Sequence, residues 1–351
     1  MVPAPEVLAR LDSFSTVIDA RSEDEFALDH LPGAVNWPTL DNDERRIVGT
    51  TYKQISAFEA RKRGAAMAAR NIAQHIERHV LDVTKDWQPL AYCWRGGKRS
   101  GALALILDQI GFQVTLIEGG YKAFRAAVVA EIERLAPLLR LQVVCGTTGS
   151  GKTRLLHALA AQGAQVLDLE ALASHRASVL GALPNVEQPS QKRFDTLIWE
   201  VMRRFDLARP VFVESESKKV GNLTVPPALM DAMRAGGACV HLELPQDERV
   251  ALLLEDYAYF TRDPDALCGR LDVLREMRGK VVVEGWKELV RAGRFDAMVR
   301  ELLVAHYDPG YLQSIARNFK GFANARHYEA QGRSQEAMAT VARQIVADTS
   351  A

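Results

Sequence analysis

From Ser15 onward the chain alternates short apolar runs with longer amphipathic ones. STVIDAR reads as a strand with a polar exit, and SEDEFALDH, acidic early and apolar at helical spacing, as the helix after it. A turn is expected at HLPGA. The charge-rich segment from Asp41 to Val80 is punctuated by Gly49 and Gly64, and within it AAMAARNIAQHIERHV has the spacing of an amphipathic helix. PLAYCW is the next strand and runs directly into RGGKRSGALALILDQIG, where glycines give way to a helical pattern ending at Gly111. QVTLIEGG then predicts a strand and turn, and YKAFRAAVVAEIERLA a long helix.

Pro137 follows that helix and LRLQVVCG opens a new strand, which divides the chain into domains at 1–136 and 137–351. In the second half QVLDLE, PVFVESE and ACVHLELP read as strands separated by helical stretches. Such alternation predicts an α/β fold, with parallel sheets covered on both faces. From about Ala251 the pattern is mainly helical and rich in both charge signs, and there is no internal repeat.

Composition adds bounds to this picture. A chain of 351 residues exceeds the usual single core, in agreement with two domains, and 48% hydrophobic with 25% charged residues is the mixture of an ordinary globular protein. Lys+Arg 44 balances Asp+Glu 44, so a polyanion would have to be met by a local patch. Basic residues group at Arg61, Lys62 and Arg63, at Arg203 and Arg204, at Arg275, Arg278 and Lys280, and at Arg317 and Lys320. The first residues carry scattered charge and no apolar core, and no uncharged run approaches membrane-spanning length; a cytoplasmic protein with no membrane partner is expected. Cys93, Cys145, Cys239 and Cys268 are too far apart for paired zinc ligands and read as free thiols; no resident metal site and no bound prosthetic group are expected, while magnesium can accompany a bound phosphate.

Two segments carry chemistry. GTTGSGKT (Gly146, Thr147, Thr148, Gly149, Ser150, Gly151, Lys152, Thr153) satisfies G-x-x-x-x-G-K-T between an apolar strand and a helix. Its glycines let backbone N–H groups converge on phosphate oxygens, Lys152 adds a point charge, and Thr153 can ligate magnesium. A diphosphate of any kind satisfies it. Glu214 and Glu216 after PVFV, or Asp168 and Glu170 after QVL, stand where such sheets place a magnesium-binding or water-orienting carboxylate; each can equally cap a helix. The second segment is CWRGGKRS, which puts Cys93 at a strand end before a glycine-rich turn and a helix start. Loop N–H groups, the helix dipole, Arg95 and Arg99 should all lower the thiol pKa. A phosphatase using Cys93 as nucleophile and Arg99 as phosphate clamp, a sulfurtransferase coupled to a nucleotide-binding P-loop, and a kinase whose Cys93 is inert all fit these two segments.

DARSEDEFALDHLPGAVNWP, with Asp19, Arg21, Glu25, His30, Pro32, Gly33 and Ala34, followed by the Cys93 loop, resembles the rhodanese family, in which that signature is structural. A rhodanese-like domain joined to a P-loop domain with a helical C-terminal part, carrying NDERRIVGTTYKQ, YCWRGGKRSG, EGGYKAFR, DLEALASHR and QPSQKRFD, resembles the tRNA 2-selenouridine synthases. The resemblance implies that wobble-position 2-thiouridine in tRNA becomes 2-selenouridine through an S-geranyl intermediate, with geranyl diphosphate and selenophosphate as co-substrates. It also implies that Cys93 serves selenium transfer and that Gly64 is linked to geranylation. Ala177 in ASHRASVLG departs from the family pattern, which tends to glycine there. HYDPGYLQS, from His306, resembles a family segment whose tyrosines either stack on a base or pack.

Overall fold

In the computed structural model, which describes residues 1–350 except Gly96, Ala177 and Val179, the chain divides into two compact units. One comprises Met1–Glu131 with Pro189–Glu200, the other Ile132–Gln188 with Val201–Ala351. The departure from family pattern at Ala177 lies outside the described residues.

The first unit is built on four parallel strands, β1 (Thr16–Asp19), β2 (Ala34–Asn36), β3 (Pro89–Tyr92) and β4 (Thr115–Leu116), in the order β2-β1-β3-β4. β1 and β3 are nearly continuous apolar runs because both of their faces are covered. β2 falls in GAVNWP just after the expected turn; three residues are too few for a periodic signal. Ile18, Ala91, Leu103, Leu107 and Phe112 form the core with Trp37, Ile72 and Trp87. Helix Glu23–Leu28 begins with a capping box between Ser22 and Glu25, the short-range rule for S-x-x-E. Helix Gln191–Met202 contributes its first ten residues to this unit: Arg125 bonds Thr196 at 2.9 Å and Asp195 at 2.8 Å, and Trp199 packs edge-on against Phe124. Strand and helix alternation does not disclose that placement.

The second unit has five parallel strands, here β5 (Arg140–Cys145), β6 (Gln165–Leu167), β7 (Pro210–Glu214), β10 (Ala238–Glu243) and β11 (Gly321–Glu329), in the order β11-β10-β5-β7-β6. A small antiparallel pair, β8 (Lys219–Val220) and β9 (Leu223–Thr224), follows β7. β11 corrects the mainly helical reading of the C-terminal region. Its sequence, GFANARHYE, lacks apolar alternation because it is an edge strand with much of its length exposed, and its backbone pairing with β10 decides its conformation. The helix after the phosphate loop, Lys152–Ala161, buries Leu155, Leu156 and Leu159 in a core with Met338, Val341 and Ile345 of the last helix, Gln335–Ser350. The helices between β10 and β11 build a second core around Leu271, Leu274, Val283 and Trp286.

Candidate functional site

In the first unit β3 ends at Tyr92, so Cys93 stands at the exit of a buried strand, immediately before the turn that starts helix Lys98–Ile110. The Ser100 hydroxyl lies 3.3 Å from its Sγ. Burial pushes the thiol up, but the Ser100 hydroxyl, the N–H groups of Ser100 and Gly97 and the charge of Arg99 outweigh it, and the pKa falls below the ordinary thiol value. Cys93 is as buried as Cys145, Cys239 and Cys268. Convergent donors, not exposure, set it apart.

Arg99 is held as a fork by Glu25, at 2.7 and 3.4 Å, and Arg45 joins the same carboxylate at 3.1 Å. Burial raises Glu25, yet Arg99 and Arg45 bring its pKa below the ordinary value. The capping residue of one helix thus orients the cation beside the thiol. Arg95 is exposed on the turn. Beneath the loop, Arg21 makes a fully buried pair with Asp19 at 2.6 Å and lies 3.8 Å from the Tyr121 ring centre. Tyr121 in turn donates to Asp29 at 2.8 Å, and its backbone N–H bonds Cys93 O at 2.8 Å. A cleft lined by Arg21, Arg45, Arg99, Trp94, Tyr121 and Lys192 opens next to the loop. Trp94 is 38% exposed there and stacks on Tyr121, with centroids 5.6 Å apart. Gly64 lies about a third of the way along helix Ala57–His79, where a Cβ would come 3.4 Å from the Val48 side chain, an ordinary van der Waals contact, so helix packing there does not demand a glycine.

In the second unit the phosphate loop joins β5 to helix Lys152–Ala161. Gly149 and Gly151 adopt left-handed backbone, φ +77° and +87°, and a Cβ on Gly151 would lie 2.6 Å from the Met338 methyl group. Lys152 donates from Nζ to Gly146 O at 2.7 Å across the loop mouth. Burial lowers its pKa, but Tyr311, Glu170, Glu216 and Glu214 outweigh that and keep the ammonium charged. The fold brings Thr153, Glu170, Glu214 and Glu216 together: Thr153 Oγ1 donates to Glu170 at 3.2 Å, the Glu170 N–H donates to Glu214 at 3.1 Å, and the three carboxylates lie within 4.8 Å of one another. Burial, then the charge of Glu170, raises Glu214 well above the ordinary range and Glu216 to about 8. Crowded, buried carboxylates of this kind fit a divalent cation, which would replace their mutual repulsion by shared coordination. Asp168 serves instead as a cap, accepting from the Ala171 N–H at 2.8 Å and lying 3.1 Å from His157 Nε2.

Sequence reasoning alone missed three supports of the loop. Tyr311 accepts from the Gly146 N–H at 2.9 Å and lies 2.8 Å from Ser215 Oγ. Arg249 donates to Thr148 O at 3.0 and 2.8 Å and is itself held by Asp308. Tyr311 and Asp308 both fall in HYDPGYLQS, a segment that local patterning marks only as helical, so no signal ties them to a loop about 165 residues earlier. Beside the loop lies a partly open apolar cavity walled by Leu253, Leu254, Phe260, Leu267, Met298 and Leu302. Thr148, Ser178, Leu253 and Tyr257 line both this cavity and the polar mouth of the phosphate loop, so the two are contiguous. Of the basic groups, Arg61, Lys62 and Arg63 are exposed on one helix, whereas Arg275 is paired with Asp272 and Glu284 and Arg278 bonds His306. Among the described residues no helix is long and apolar enough to cross a membrane.

Comparison with known proteins agrees with both halves of this architecture. Residues 3–127 match the rhodanese-like domain, and residues 139–270 match the tRNA 2-selenouridine synthase AAA domain. The tRNA 2-selenouridine synthase of Nitrosomonas europaea is 38% identical over 70% of this chain and 64% of its own length, somewhat under two thirds. That of Alcanivorax borkumensis is 34% identical over 86% of this chain and 90% of its own, and that of Sulfurovum sp. 30% identical over 90% and 93%. With a rhodanese-like unit around Cys93, a P-loop unit after it, and a similarity that runs the length of both, the chain belongs to the tRNA 2-selenouridine synthase family.

Proposed function

We propose that the protein converts wobble-position 2-thiouridine in tRNA to 2-selenouridine in two steps, with a different unit serving each. The observation that carries the division of labour is the apolar cavity contiguous with the phosphate loop. A nucleobase could bury its ring there but would leave most of its edge donors and acceptors without partners against so apolar a lining, whereas geranyl diphosphate offers a diphosphate to the loop and a ten-carbon chain to the cavity, where each buried methylene is worth about 0.8 kcal/mol. In the first step the uridine sulfur attacks C1 of the geranyl group. A C–S bond forms, the C–O bond breaks, and diphosphate leaves with the electron pair while uridine N3 loses its proton. Lys152 and the loop N–H groups neutralise the leaving diphosphate. Magnesium held by Thr153, Glu170, Glu214 and Glu216 would supply further Lewis-acid stabilisation of that leaving group.

In the second step selenophosphate is the selenium nucleophile. Its selenium bonds to C2, the C2–S bond breaks and geranylthiol departs, and hydrolysis of the P–Se bond leaves 2-selenouridine and phosphate. The anion-stabilising loop around Cys93, with the cationic cleft beside it, is suited to hold this donor, and the lowered thiol pKa raises the thiolate fraction of Cys93 for its part in selenium handling. Trp94, exposed in the same cleft, offers a face on which a base can stack.

The test is nucleoside mass spectrometry on two substrates. Lys152→Ala should lose geranylation of thiolated tRNA by three orders of magnitude or more while still selenating tRNA geranylated beforehand; Cys93→Ser should do the reverse. Loss of only the selenation step in Lys152→Ala would sink the assignment of the phosphate loop to the prenyl donor.

A further inference from the structure

Two strands far apart in the chain assemble a group of metal-ligating side chains at the edge of the second sheet. His241 and Glu243 are two residues apart on β10, so strand alternation places them on one face, and His327 of β11 is the direct neighbour of His241 in the parallel ladder. His241 Nδ1 lies 3.1 Å from His327 Nδ1, and Glu243 Oε1 is 3.5 Å from the first and 3.3 Å from the second. Tetrahedral zinc, with ligand atoms near 2.0–2.1 Å, sets those atoms about 3.3 to 3.4 Å from one another, and a triangle of the observed size has a point about 2 Å from all three corners. Phe322 packs its ring against His241 with centroids 5.2 Å apart and closes one side. The Glu243 and His327 side chains are 54% and 64% exposed, which leaves the fourth corner to water.

Hydrogen bonding alone serves this arrangement poorly. A single proton on His327 Nδ1 would have to be shared between His241 Nδ1 and the Glu243 carboxylate, whereas a divalent cation takes a lone pair from all three. Nothing in the chemistry assigned to Cys93 or to the phosphate loop uses these residues. We infer that His241, Glu243 and His327 form a binding site for a divalent transition metal of the zinc class, which fastens edge strand β11 to β10. Two imidazoles and one carboxylate favour zinc over magnesium or calcium, which prefer all-oxygen shells.

The test uses the full-length protein, stripped with a chelator and titrated with Zn²⁺, with Co²⁺ as a visibly absorbing stand-in. One equivalent should bind with a rise in Tm and, for cobalt, the absorption of a tetrahedral nitrogen and oxygen environment, separable from any weaker uptake by the all-oxygen Glu170, Glu214 and Glu216 group. His327→Ala, at an exposed position on an edge strand, should weaken binding at least a hundredfold, and Glu243→Gln about tenfold. Glu170→Gln, in the other carboxylate cluster, should leave zinc affinity unchanged. Equal zinc affinity in the wild type and His327→Ala, a thiolate-type cobalt spectrum, or no uptake by the stripped wild type at millimolar free zinc would each overturn the inference.

Discussion

The Cys93 loop and the phosphate loop occupy equivalent places, each leaving the C-terminal end of an interior parallel strand and entering a helix, yet they are lined differently. The first gathers its donors on one atom: the Ser100 hydroxyl and the N–H groups of Ser100 and Gly97 converge on a single sulfur, and Arg99 is held by Glu25 rather than swung into the loop. The second has left-handed glycines at Gly149 and Gly151, a charged Lys152 across its mouth, and both a carboxylate cluster and an apolar cavity beside it. Position in the sheet gives both of them a turn of backbone N–H groups at a helix N-terminus. What lines each loop differs: convergent donors on one sulfur in the first, and a lysine, carboxylates and apolar walls around the second.

That contrast can be tested at three points beyond the reciprocal losses expected of Lys152→Ala and Cys93→Ser. The largest effect should come from the cavity. Leu254→Trp takes the space of two or three methylenes, about 2 kcal/mol, so the KM for geranyl diphosphate should rise roughly thirtyfold while that for the shorter dimethylallyl diphosphate stays nearly constant. Steady-state assays with both donors check this, and an equal rise for both would separate the cavity from chain binding.

A smaller effect belongs to the thiol. Alkylation of Cys93 rises as pH passes upward through its pKa, which lies below the ordinary thiol value. Ser100→Ala removes the hydroxyl that favours the thiolate, so the midpoint of an iodoacetamide pH profile should move up and the rate at neutral pH should fall roughly tenfold. An unmoved midpoint would show that the backbone donors and Arg99 suffice. The smallest concerns Tyr311→Phe, which takes the acceptor from the Gly146 N–H; at about 1 kcal/mol for one hydrogen bond, diphosphate affinity by calorimetry should drop about fivefold with Cys93 alkylation unaffected.

Much of both sites was legible along the chain because the determinants are local. A glycine-rich turn after an apolar run must bend sharply and present its N–H groups, whatever the rest of the protein does, and so GTTGSGKT and CWRGGKRS announce anion loops. The carboxylates were legible only as four equal candidates. Asp168 and Glu170 are separated by one residue, yet one caps a helix and the other meets Thr153, a difference set by where the short helix Leu169–Leu172 begins. Gly64 was legible only through family resemblance, and its surroundings, with Val48 at ordinary contact distance from a would-be Cβ, do not by themselves call for a glycine.

By itself the sequence determined the alternation of strands and helices, the two anion loops and the cysteine set apart by its turn, since each depends on spacing within some ten residues. Only the tertiary structure decided that β11 is a strand, that Tyr311 and Arg249 brace the phosphate loop, that an apolar cavity adjoins it, and that His241, Glu243 and His327 meet. These depend on backbone pairing and packing between segments tens to well over a hundred residues apart, and neither leaves a periodic trace in the chain.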